Sequence, residues 1–334
     1  MAAERKDAAA RKGTVESGRR RQQQEPRAKR KVSISIIGAG RLGTALAVAL
    51  AARGYSIEAV VARRLRHARR AAALIASRPR AFTSAQLGLL PSSDLLFITT
   101  PDDAIAETAA RLLAASTQTN KRGRAVALHT SGALSSNVLS CLRDAGFHVG
   151  SLHPLVSVSD AISGAKSLRK AFYCVEGERA AMRVARILVR DLGGQSFSIS
   201  AHHKALYHAA AVMASGHIVA LFDIAVEMLM RCGLNRARAR TVLMPLLQST
   251  LENLSAHEPA RALTGTFARA DAATVRRHLT ALRSAEMHDA LAAYTLLGNR
   301  SLRLAKKAGV NVEALREVAR LLGETVDARP RRSG

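Results

Sequence analysis

The stretch Val32-Ser-Ile-Ser-Ile-Ile-Gly-Ala-Gly-Arg-Leu-Gly43 constrains the fold of this chain more than any other. Apolar β-branched residues run straight into three glycines, and an alanine-rich segment without a breaker follows to Arg53. A buried strand that turns directly into a helix is the expected result. The spacing gives each glycine a task. Gly38 permits the tight turn, Gly40 lets the backbone approach a pyrophosphate, and Gly43 lets helix and strand pack closely. The free N–H groups at the helix start, beside Arg41 and Leu42, attract the anion. A dinucleotide site is therefore expected at Gly38, Gly40, Arg41, Leu42 and Gly43.

The residues that follow extend this unit. Apolar segments at 32–37, 56–61, 81–83, 95–99, 125–129, 148–152, 172–175 and 196–199 read as strands. Helical stretches are expected between them, at 66–77, 102–115, 134–145 and 180–192. Such alternation marks a doubly wound, mostly parallel α/β sheet covered on both faces, an extended Rossmann domain over 32–200. After Ile199 the alternation gives way to helices, so a second, all-α domain is expected over 201–325. The chain of 334 residues, 48% of them apolar, suffices for two cores.

Charge must be located before it is interpreted. Of the formal +26, a net +7 falls in residues 1–31, which show no apolar periodicity and read as a disordered basic tail; 326–334 read as a second loose end. The remaining excess is spread over helices and lacks the interleaved aromatics that stack on bases, so specific nucleic-acid binding is not expected. The tail has no secretory apolar core, and its four acids argue against a mitochondrial presequence. A cytoplasmic protein is the expectation. Cys141, Cys174 and Cys232 lack metal-ligand spacing, so no metal is expected and three buried free thiols are.

Further stretches carry chemistry. At the end of the second strand candidate stand Arg63 and Arg64, with no acid in that turn. An acid there would bind a ribose 2′-hydroxyl, whereas arginines accommodate a 2′-phosphate, so the cofactor is expected to be NADP(H). Thr99-Thr-Pro-Asp-Asp103 reads as a helix start, with Thr100 as N-cap, Pro101 first in the helix and the aspartates as capping charges. Thr100 and Pro101 also form a cofactor wall. His129-Thr-Ser-Gly132 and Ser151-Leu-His-Pro154 each follow a strand, which makes His129, Ser131 and His153 candidates to line a substrate site. Finally, 201–232 reads as one helix of about 30 residues. Its middle is apolar enough for a membrane span, but His217, Asp223 and Glu227 favour a buried core or dimer helix. Lys204 and His208, four apart, share a face near its start as a catalytic pair. Farther on, Arg269 is a candidate to bind a substrate carboxylate bidentately, and Asp271 to cap the next helix.

Six motifs in order, Gly-Ala-Gly-Arg-Leu-Gly, Thr-Pro-Asp-Asp, His-Thr-Ser-Gly, Ser-Leu-His-Pro, Leu-Tyr-His-Ala-Ala and Thr-Gly-Thr-Phe-Ala-Arg-Ala-Asp, carry a resemblance. Over 32–310 the chain resembles bacterial candidate oxidoreductases that join a Rossmann-like half to a C-terminal domain of unknown function. These are distantly similar to ketopantoate reductase, pyrroline-carboxylate reductase and the 6-phosphogluconate and β-hydroxyacid dehydrogenases. The resemblance implies a 6-phosphogluconate-dehydrogenase-like helical domain and an NADP-dependent oxidoreductase that reduces a small carbonyl substrate, a 2-oxo acid. Imine reduction and non-catalytic NADP sensing are the alternatives. It implies Lys204 as proton donor, with His208 standing where those enzymes have asparagine. Thr266 and Ala270 replace an expected proline and glycine, and Gly216 an asparagine. A homodimer through the C-terminal helices is expected.

Overall fold

The computed structural model describes residues 32–115 and 125–327. The N-terminal tail expected at 1–31, and the C-terminal one from 328 onward, lie outside the described residues. The chain divides into a strand unit, to Ala201, and a helical unit of Gly132–Leu134 and His202–Gly334.

Among its described residues the strand unit holds eight strands: β1 Ser33–Ile37, β2 Ser56–Ala62, β3 Arg80–Thr83, β4 Leu95–Ile98, β5 Val126–His129, β6 His148–Pro154, β7 Phe172–Gly177 and β8 Gln195–Phe197. Their order is β3-β2-β1-β4-β5-β6-β7-β8, all parallel except the antiparallel β6–β7 pair. Among the described residues six helices connect them: α1 Arg41–Ala51, α2 Leu65–Ala73, α3 Ile105–Ala115, α4 Ser140–Asp144, α5 Ala161–Ser167 and α6 Arg179–Asp191. β1 is buried at every residue because helices cover both faces. Its two serines are satisfied there, Ser33 by Asp94 and Ser35 by Ser93. The core runs through Ile34, Ile36, Leu46, Phe97, Leu128 and Tyr173.

Several expectations are corrected. The expected helix over 134–145 contracts to a 3-10 turn at Ser136–Leu139 and the short α4. Helix α5 was not expected; Asp160 caps it by accepting from the backbone N–H groups of Ile162 and Ser163. It rests on α1 at Gly164, where a Cβ would lie 3.1 Å from that of Ala45.

The helical unit contains α7 Lys204–Met213, α8 Gly216–Arg231, α9 Arg236–Ala256, α10 Pro259–Ala262, α11 Ala272–Ser284, α12 His288–Lys307 and α13 Val312–Asp327, the last reaching two residues into the segment expected to be loose. The single helix expected over 201–232 is broken. Ser215 leaves helical space at φ −132°, ψ −79°, its hydroxyl donating back to the Ala211 carbonyl at 2.7 Å, and Gly216 follows. The reading of this segment as core is corrected too. Along α7 and α8 only Lys204 and Val226 are buried, although 201–231 reaches a mean hydropathy of 1.8. The core of this unit lies instead among α11, α12 and α13, around Val275, Leu279, Val318 and Leu322. Cys232, expected to be buried, is exposed at the end of α8.

Candidate nucleotide site

The sheet reverses its strand order between β1 and β4, and there the turns after both strands meet at their carboxyl ends, where ligands lie in such sheets. Gly38 adopts φ +118° and brings its own N–H and that of Ala39 onto the Val61 carbonyl at 2.9 and 2.8 Å. A Cβ on Gly38 would stand 2.7 Å from the Thr99 carbonyl carbon, so no other residue fits. Thr99 Oγ1 donates to the Gly38 carbonyl at 2.6 Å and ties the two turns together. Gly43 is closed in as well, since its Cβ would lie 2.2 Å from the Gly38 oxygen. Gly40 differs from both. It caps α1, and a Cβ there would meet nothing within 4 Å. Space is thus left over the helix N-terminus, where the first N–H groups of α1 have no intrahelical partner.

The walls of this corner fit a dinucleotide. Arg41, Arg63 and Arg64 are exposed, and none forms an ion pair among the described residues. Glu58, the nearest acid along the sequence, stays in β2, where its carboxylate accepts from Ser56 at 2.7 Å. Leu42 packs half-buried on the core. Thr100 corrects the expected helix start: Pro101 is the cap and makes no side-chain cap bond, and a 3-10 turn at Asp102–Ala104 precedes α3. The freed Thr100 Oγ1 is buried with no hydrogen-bond partner, a polar atom aimed at no group of the protein. Asp102 has a second task that sequence reading missed, because it accepts from Ser131 Oγ at 2.7 Å.

The candidate substrate residues are distributed over both units. In the strand unit His129 is fully buried at the end of β5, and its Nδ1 accepts the Ser131 N–H at 3.2 Å. Its neutral ring therefore carries the proton on Nε2. His153 does not follow β6 as expected. The strand extends to Pro154, and His153 sits within it opposite Cys174, half-buried. In the helical unit Lys204 is 1% exposed at the first position of α7, with its ammonium 6.0 Å from the Tyr207 ring centre. A lysine that deeply buried marks a candidate site. His208 lies half-buried one turn later. Arg269 is exposed on the turn before α11, just before Ala270 in the left-handed region at φ 51°. Asp271 is the N-cap of α11. The Thr274 backbone N–H and hydroxyl hold its carboxyl below the usual range, with Arg277 and Arg269 adding to the effect. Among the described residues no group of three or more His, Cys, Asp or Glu could hold a metal ion.

Comparison with known proteins agrees with this architecture. A Rossmann-like domain matches residues 19–154, and a domain of unknown function, DUF2520, matches residues 171–301. No curated protein sequence matches the chain. A Bacteroides fragilis protein named as a candidate NADP oxidoreductase is similar in structure, at 22% identity over 83% of this chain and 99% of that one, with a TM-score of 0.65. A Thermotoga maritima protein is similar at 21% identity over 82% and 99%, TM-score 0.63. Pyrroline carboxylate reductase from Plasmodium falciparum, solved with NADP bound, is similar at 9% identity over 86% and 99%, TM-score 0.52. At these identities the likeness establishes the fold. Along the chain a match to a Rossmann-like domain is thus followed by a match to the DUF2520 domain.

Proposed function

We propose that this chain is a cytoplasmic, homodimeric NADP-dependent oxidoreductase that reduces a small carbonyl compound, a 2-oxo acid. The observation that carries the cofactor is the corner itself: open space over Gly40, the unpaired Thr100 hydroxyl, and Arg63 with Arg64 at the end of β2 where NAD sites carry an acid. When bound, NADPH supplies the hydride. The first N–H groups of α1 hold the pyrophosphate, Arg63 and Arg64 clamp the 2′-phosphate through planar forks, and Thr100 fills its hydrogen-bonding capacity on the coenzyme. Lys204 would hold a proton for the carbonyl oxygen and give it up as that oxygen becomes the hydroxyl of a 2-hydroxy acid. In the strand unit His129, Ser131 and His153 are the residues read as binding the acid, and in the helical unit Arg269 is the residue read as binding a carboxylate. His208 orients the proton donor from the next turn of α7.

A second reading is imine reduction, supported by the similar structures named as pyrroline carboxylate and imine reductases. Calorimetric titration with NADPH and NADH, followed by a panel of 2-oxo acids and cyclic imines scored by loss of NADPH absorbance, tests both. Preference for NADH, or no binding of either coenzyme, ends the proposal. Lys204→Ala should lower turnover by about 10²- to 10⁴-fold and leave NADPH affinity unchanged.

A further inference from the structure

The connection after β5 carries Ser131, proposed with His129 at the end of that strand to line the substrate, and carboxylates from two other elements hold it. At its start Ser131 Oγ donates to Asp102 in the turn after β4. Farther along, Ser136 donates twice to Glu176 of β7, from its backbone N–H to Oε2 at 2.8 Å and from its hydroxyl to Oε1 at 2.7 Å. Ser151 of β6 approaches the same Oε2 at 3.4 Å.

Glu176 is only 8% exposed, and no lysine or arginine pairs with it among the described residues. A carboxylate in such a place is tolerated only when hydrogen bonds fill its lone pairs, and an apolar residue of similar size would pack the sheet at lower cost. Both oxygens meet donors of one residue, so the clamp fixes the position and direction of the backbone at Ser136. It does so between the sheet and a connection that has no regular structure of its own before Ser136.

We infer that Glu176 is a positioning residue: by gripping Ser136 it fixes the connection that sets the ring of His129. The link to the ring is the Ser131 N–H on His129 Nδ1, which orients the imidazole with Nε2–H as its donor. The inference deepens the proposed function and rests on it only for the effect on turnover. The state of the His129 ring can be read without coenzyme or substrate.

The test compares Glu176→Ala with Glu176→Gln in the full chain. Glutamine can accept the Ser136 N–H through its carbonyl and donate its amide N–H to the Ser136 hydroxyl, so it keeps the clamp. Nitrogen-15 spectra of the histidine rings, with His129 assigned by its loss in His129→Gln, should show a single Nε2–H tautomer in the native chain and in Glu176→Gln. In Glu176→Ala the tautomers should average, and kcat/KM should fall roughly 10²-fold while NADPH affinity holds. An unchanged His129 spectrum in folded Glu176→Ala overturns the inference. Should that variant not fold, Glu176→Met removes both acceptors while an apolar side chain of similar size fills the space, and an unchanged ring there overturns it equally. If the native chain binds neither coenzyme, the functional reading fails while the spectra still decide the role of Glu176.

Discussion

Gly40 and Gly43 stand three residues apart in one motif and meet opposite surroundings. Gly43→Ala drives a methyl to within 2.3 Å of Thr99 Oγ1, and α1 must shift from the β4 turn. A loss of about 1–3 kcal/mol in stability is expected, together with loss of NADPH binding. Gly40→Ala meets no protein atom, so it should melt as the native chain does and weaken only the coenzyme. Parallel thermal melts and calorimetry check the contrast. Replacing Arg63 and Arg64 together with alanine should weaken NADPH by roughly 10- to 100-fold and leave NADH unaffected. Equal losses for both coenzymes would show that the pair does not read the 2′-phosphate. The glycines and arginines were legible because their roles follow from spacing along one βα unit. Asp102 and Glu176 were not, since their serine partners lie 29 and 40 residues away. Local pattern makes the first a helix-start charge and leaves the second an ordinary strand residue.

Among the elements, α11 begins on a clean cap. Asp271 accepts from the Thr274 N–H at 2.9 Å and from its hydroxyl at 2.7 Å. The folded-state carboxyl therefore titrates below its ordinary 3.8. Its contribution is fully present above the unfolded value and is lost as pH falls through the lower folded one. Asp271→Ala should lower the melting temperature at neutral pH, and the gap to the native chain should close in acid below the usual carboxylate range. A gap independent of pH would remove the cap from the account. Most strands and helices were legible from period and breakers, but the break between α7 and α8 was not. Serine and glycine at 215 and 216 are weak signals inside an apolar run, and what decides is the hydroxyl's bond back to Ala211. Helix α5 carried a usable signal in Asp160, a good cap ahead of a short run, masked by low apolar content.

At the scale of the molecule, apolar surface is divided unevenly. Leu206, Val219 and Leu246, on α7, α8 and α9, are 71%, 69% and 64% exposed, and Met213, Leu251 and Leu254 join them. Exposed apolar side chains in such number suit the homodimer proposed above, and a stable interface covers on the order of 800 Å² on each partner. Val219→Glu with Leu246→Glu should convert a dimer to monomers, as read by sedimentation. A native chain that sediments as a monomer at micromolar concentration would refute the homodimer. Pattern revealed that the segment was apolar but not what would cover it, since a core, a bilayer and a second copy all select the same residues. The scarcity of inward-facing contacts along α7 and α8 has a thermodynamic corollary. In the proposed homodimer, two helices that keep almost nothing dry by themselves would hold their shape through association, so the heat resistance of the helical half should fall as the sample is diluted, while that of the self-sufficient sheet stays constant.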